Sequence, residues 1–125
     1  MLAKILLVFA AAAVLSAQTP PEPQLSHAVF FTLKDKSPQA AVTLVAECRK
    51  YLQGHPGEVS FFAGVRATEL QREVNDQDFQ VSLLVVFKTR ADQDRYQTAP
   101  RHLDFIKANQ AGWAKVRVFD SLIGR

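Results

Sequence analysis

A β-strand that is apolar on both sides has few places to go, and the folded part of this chain opens with one. In His27-Ala-Val-Phe-Phe-Thr-Leu-Lys34, period two puts His27, Val29, Phe31 and Leu33 on one face and Ala28, Phe30, Thr32 and Lys34 on the other. Both faces are largely apolar, so such a strand needs cover on each side. The segment Phe79–Lys88 repeats the pattern. Phe79, Val81, Leu83, Val85 and Phe87 share a face, and Gln80, Ser82, Leu84 and Val86 share the other.

The intervening segments supply one of those covers. Ser37-Pro38 reads as a helix start, with Ser as N-cap and Pro in the first turn. Ala41, Leu44, Val45, Cys48 and Leu52 then form an apolar helical stripe, which Gly54 and the turn His55-Pro56-Gly57 terminate. Val59–Ala63 is a second strand, with Gly64 as a bulge or strand end, and polar Glu69–Asp78 is a loop. Ala91–Thr98 is a short helix, and Pro100 interrupts it or starts another anchored by Leu103, Phe105 and Ile106. Lys115–Leu122 closes as a strand, with Val116 and Val118 on one face and Arg117 and Phe119 on the other.

The order β-α-β-β-α-β is the split βαβ, or ferredoxin-like, arrangement of the α+β class. It predicts a four-stranded antiparallel sheet with its helices on one face. Phe30, Phe62, Leu84, Val86 and Phe119 then point to the face that the helices leave bare. In 125 residues the simplest lid is a second copy of the same sheet, which predicts a homodimer through the sheet faces, a dimeric α/β barrel. The length also excludes a (β/α)₈ barrel, which takes roughly 250 residues.

Residues 1–17 read as a secretory signal peptide: Lys4, an uncharged run from Ile5 to Leu15, then Ser16-Ala17. The run is shorter than the roughly 20 residues that span a bilayer. Export to a periplasm or the exterior is expected, with no stable membrane insertion after cleavage. Gln18 occupies the position where a lipoprotein signal requires cysteine. Residues 18–24 hold Pro20, Pro21 and Pro23 and read as a spacer, which places the domain at 25–122.

The formal net charge is +3, with basic residues scattered among acids as in Lys34-Asp35-Lys36. No basic stripe suits a nucleic acid. The single Cys48 makes no internal disulfide and falls inside the helical stripe, so burial is expected. No Gly-rich phosphate loop or nucleophile elbow is present, and His27, His55 and His102 show no metal-ligand spacing. Neither cofactor nor metal is expected.

Alternation places His27, Val29, Leu83 and Val85 toward the helical layer, where they would line a pocket between sheet and helices. Tyr96 and His102 flank the Pro100 break, and a phenol and an imidazole within reach of each other could serve a proton transfer.

Four segments resemble the stress-responsive dimeric α/β-barrel domain family. They are the strand His27–Lys34, the turn Pro56-Gly57 into Val59-Ser60-Phe61, the run Tyr96-x-x-x-Pro100-x-His102-x-x-Phe105, and the strand Val116-x-Val118-Phe119-Asp120. The resemblance covers Leu25 to Leu122 and implies ferredoxin-like protomers that dimerise through their sheets. It includes the plant olivetolic acid cyclase, which closes a linear polyketide by aldol condensation. By that likeness Tyr96 and His102 take the catalytic positions, and His27, Phe105 and Trp113 line the pocket. Two departures stand out: Ala99 where the family often has His before the proline, and charged Arg49 where the cyclase lines its cavity with an aromatic residue. Arg49 is therefore expected to shorten or close an apolar tunnel. Three readings stay open: a module binding a small apolar or aromatic ligand, a cofactor-independent cyclase or isomerase acting by proton abstraction beside a carbonyl, and a structural or stress-response dimer without catalysis.

Overall fold

The computed structural model describes residues 10–124, so the signal peptide read over 1–17 lies largely outside the described residues. Residues 10–23 contain no helix or strand and are almost wholly exposed. The elements then run β1 (Gln24–Leu33), α1 (Pro38–Leu52), β2 (Glu58–Val65), β3 (Val81–Phe87), α2 (Arg90–Thr98), α3 (Pro100–Asn109), a 3₁₀ turn (Gln110–Gly112) and β4 (Trp113–Ile123). The strands form one antiparallel sheet in the order β2-β3-β1-β4, with the helices on one face. Among the described residues no helix is long and apolar enough to cross a membrane.

Local chemistry explains the element ends. The Ser37 hydroxyl accepts from the Ala40 amide at 3.2 Å, and Pro38 occupies the first turn of α1. After Leu52 the chain turns at Gly54 and Gly57, both at positive φ, and the Asp92 side chain lies directly over Gly57. Arg101 reaches across from α3 to donate from Nε to the Tyr51 carbonyl at 2.8 Å, and it also bonds the Gln53 carbonyl. The C-terminus of α1 is thereby capped by another helix.

The core follows the period-two pattern. Val81, Leu83, Val85 and Phe87 are buried beneath the helices, where they meet Val29, Phe31 and the stripe Ala41, Leu44, Val45, Cys48 and Leu52. Burial pushes the Cys48 thiol up to about 12, which leaves it protonated and inert. On the other face Leu84 and Val86 are half-buried, while Phe62 and Phe119 are 62% and 53% exposed.

Two expectations need correction. Phe79 does not share the inward face. It precedes β3, where strand alternation no longer applies, and its ring packs edge-on against Phe30 of the outer face, 5.1 Å between centroids. Gly64 is no bulge, because it pairs regularly with Ser82. The register shifts fall at Glu58/Ser60 and at Thr32/Leu33. The second shift matters for the site: Thr32 pairs with Lys115 but Leu33 pairs with Trp113, so Ala114 is the extra residue of a bulge in β4.

Candidate functional site

Tyr96 lies in the last turn of α2, 2% exposed, with its ring against Phe87 of β3. Three imidazoles surround it. Ring-centroid distances are 4.5 Å to His102, 4.9 Å to His55 and 5.9 Å to His27. The sequence spreads these histidines over a helix, a turn and a strand, and the fold gathers them around one phenol. Among the described residues, no group of three or more His, Cys, Asp or Glu is placed to hold a metal ion.

The Pro100 break builds the first contact. A residue before proline is driven out of the helical region, and Ala99 is extended, so α2 ends there and α3 starts afresh. This turn brings His102, in the first turn of α3, onto Tyr96. The His102 ring lies 3.1 Å through Nδ1 from the Gln97 carbonyl. A carbonyl only accepts, so Nδ1 carries the proton and Nε2 is left as an acceptor. Burial lowers the His102 pKa below its ordinary value. The Gln97 bond opposes that shift, and the nearby His27 and His55 add to it.

The strand register builds the second contact. His27 and Asp120 are paired residues of β1 and β4, and His27 Nδ1 lies 2.6 Å from Asp120 Oδ1. The carboxylate accepts, Nδ1–H donates, and Nε2 is again the free nitrogen. His55 is fixed differently: its Nε2–H donates to the Tyr51 carbonyl at 2.8 Å, and the Glu58 carboxylate accepts from the backbone amides of Gly54 and His55.

The Tyr96 hydroxyl has no hydrogen-bond partner. Its pKa is raised chiefly by burial, with the Glu58 carboxylate adding to the shift, so the phenol keeps its proton. A buried donor left unpaired costs about 1–3 kcal/mol. The Trp113 indole N–H is a second unpaired buried donor. Both residues border one cavity of about 130 Å³ between the sheet and α3. His27, Val29, Leu83, Tyr96, His102, Phe105 and Trp113 all stand on its wall. So do Phe31, Leu52, Gln97 and Ile106 and, on the β4 side, Val116 and Val118. The two valines are 39% and 49% exposed, which opens the cavity to solvent along the edge strand. A larger groove, about 370 Å³, runs beside the N-terminus of α1 near Lys36 and Arg66 and holds none of these unpaired groups.

Two expectations about the wall fail. Val85 shares the inward face but is sealed in the core, fully buried, and does not reach the cavity. Arg49 is exposed on α1 and is absent from the wall, so it closes no tunnel here. Asp120 and His55 join the site beyond the residues that the sequence patterns mark for it. For Asp120 a signal existed, since alternation from Val116 and Val118 puts a carboxylate at an inward strand position.

An α+β protomer of ferredoxin-like topology, with one apolar sheet face uncovered and a small pocket under its helices, is the class defined here. The chain belongs to the stress responsive A/B barrel domain family, whose match spans residues 25–123. No curated protein matches it by sequence. Among solved structures it is similar to a Dabb family protein with a ferredoxin-like fold from Mesorhizobium loti, with TM-score 0.66 and 21% identity over 81% of this chain and 97% of that one. It is similar also to a dimeric ferredoxin-like protein of unknown function from Thermobifida fusca, with TM-score 0.67 and 12% identity over 82% of this chain and 92% of that one. A third is the hydroxynitrile lyase from Passiflora edulis, with TM-score 0.66 and 23% identity over 85% of this chain and 97% of that one. At these identities the likeness is one of fold.

Proposed function

We propose that the cavity binds a small, mainly apolar or aromatic molecule through an oxygen that accepts a hydrogen bond from Tyr96. The observation that carries this reading is Tyr96, whose hydroxyl is buried and unpaired and whose side chain borders a cavity lined mainly by apolar residues together with His27, Gln97 and His102. A ketone, aldehyde or ester oxygen would relieve that donor. A volume of about 130 Å³ suits a body of ring size. The test is a ligand-observed NMR screen of small ketones, phenols and aromatic acids against wild type and Y96F. Hits lost in Y96F support the reading, and hits indifferent to it oppose it.

A second reading is proton abstraction beside that carbonyl, as in a cofactor-independent cyclase, isomerase or lyase. The tautomers favour it. In their neutral rings His102 and His27 each hold the proton on Nδ1, which leaves two imidazole Nε2 acceptors beside one phenol donor. Tyr96 would steady the oxygen on which charge develops, and His102 would take the proton. The lyase activity of the Passiflora edulis relative is compatible with such chemistry. Hydrogen–deuterium exchange at the carbon beside a bound carbonyl, faster with wild type than with H102A, would support it.

We also propose that two copies pair through the outer sheet face, where Phe62 and Phe119 are exposed, in keeping with the dimeric neighbour. Export rests on the leader pattern around Lys4 and Ser16-Ala17, and the intact mass of the secreted protein tests it.

A further inference from the structure

Trp113 stands on the walls of two separate spaces. One is the 130 Å³ cavity at Tyr96. The other is a groove of about 340 Å³ running between the start of α1 and the end of α3. The groove has an apolar floor at Leu33 and Leu44 and polar groups at Gln39, Thr43 and Asn109. We propose that Trp113 is the partition that sets how much of a ligand is buried: its indole closes a channel joining the two spaces, so a ring-sized head is enclosed while a long aliphatic tail cannot run from the cavity into the groove and is left to the solvent opening at Val116 and Val118.

The placement of the indole is built, not incidental. Strand alternation from Val116 and Val118 would turn residue 113 outward. The bulge at Ala114 reverses that, opposing Trp113 to Leu33 and sending the side chain inward. The ring then packs between Phe31 and Phe105, with centroids 5.1 and 5.6 Å away. The backbone leading into it is pinned twice by Lys34, whose amide donates to the Gly112 carbonyl and whose Nζ donates to the Ala111 carbonyl, both at 2.9 Å. With the backbone held, the size of the side chain decides whether the channel is open. An aliphatic tail passing position 113 would run over Leu33 and Leu44 and end among Gln39, Thr43 and Asn109. The ligand class for an opened channel is therefore a carbonyl-bearing ring with a linear alkyl substituent.

This inference rests on the ligand-binding reading of the cavity. Its test is a homologous series, 4-methyl-, 4-propyl- and 4-hexylcyclohexanone, titrated by calorimetry into full-length wild type, W113A and W113L. Each methylene moved from water to an apolar wall is worth roughly fourfold in affinity. In wild type the affinity should not rise from methyl to hexyl, because the tail gains no apolar wall. In W113A the hexyl-to-methyl affinity ratio should rise by roughly tenfold or more, and W113L, closer to the native volume, should move it the same way. An unchanged ratio in both variants, with the methyl compound still bound, overturns the partition and leaves the cavity reading standing. If wild type binds no member of the series, both readings fall.

Discussion

The rings of Tyr96 and His102, six residues apart in sequence, lie 4.5 Å centroid to centroid across a proline break between two helices. An uninterrupted helix would set positions six apart on different faces. The break at Ala99-Pro100 therefore makes the pair. It lets a phenol that keeps its proton stand beside an imidazole that keeps an unprotonated nitrogen.

Replacing Tyr96 by Phe removes an unpaired buried hydroxyl and keeps the ring against Phe87, His55 and His102. The unliganded Y96F protein should be more stable than wild type by about 1 kcal/mol, a rise in Tm of roughly 4–8 °C for a domain of this size. Calorimetric melts of both proteins check this. A loss of stability would mean that the hydroxyl is satisfied by a partner in solution.

His102 gives a pH dependence with a definite sign. Its folded pKa lies below the ordinary 6.5, so between those two values the unfolded chain binds more protons than the folded one. Stability should rise with pH through that window and level off above about 6.5. H102Q should remove this contribution. Any proton abstraction by His102 should follow the same lowered value, with its acid limb below pH 6.5. Urea titrations of wild type and H102Q across that range read the difference.

The sequence makes the β-α-β-β-α-β order plain because periods of two and 3.6 separate cleanly in this chain. Ser37-Pro38 and Pro100 mark helix starts by their own backbone chemistry. The pocket is less legible. His27, Val29 and Leu83 follow from alternation, but alternation alone would also have placed Val85 on the wall. Trp113 would have been turned outward by the same rule, since a bulge at a plain alanine leaves little local trace. Phe79 shows the converse failure, a residue that continues a strand pattern past the point where the strand begins. The His27–Asp120 pair depends on the register of the first strand against the last. It becomes readable only once β1 and β4 are known to be neighbours.

That pair makes its own prediction. At a pH where the His27 ring is neutral, imidazole nitrogen NMR should find one tautomer, protonated at Nδ1. In D120A the carboxylate acceptor is gone, and His27 should populate both tautomers. An unchanged spectrum would show that Asp120 does not hold the ring.

Leu84 lies in the middle strand segment of the uncovered sheet face, near exposed Phe62. A charge placed there meets an apolar partner surface, which is costly without a counter-ion. Sedimentation at micromolar concentration should find a wild-type dimer and a monomeric L84D with unchanged helicity. A monomeric wild type would remove the second copy as the cover for this face.

The sole tryptophan of the chain stands on the cavity wall, so its fluorescence reports on the cavity directly. Titrating 4-methylcyclohexanone into wild type and Y96F, with emission from Trp113 followed throughout, asks whether Tyr96 anchors a ligand there. The expected result is a saturable change in wild type and binding roughly tenfold weaker or lost in Y96F. No saturable change in wild type, or the same affinity in both proteins, would contradict a ligand site built around the Tyr96 hydroxyl.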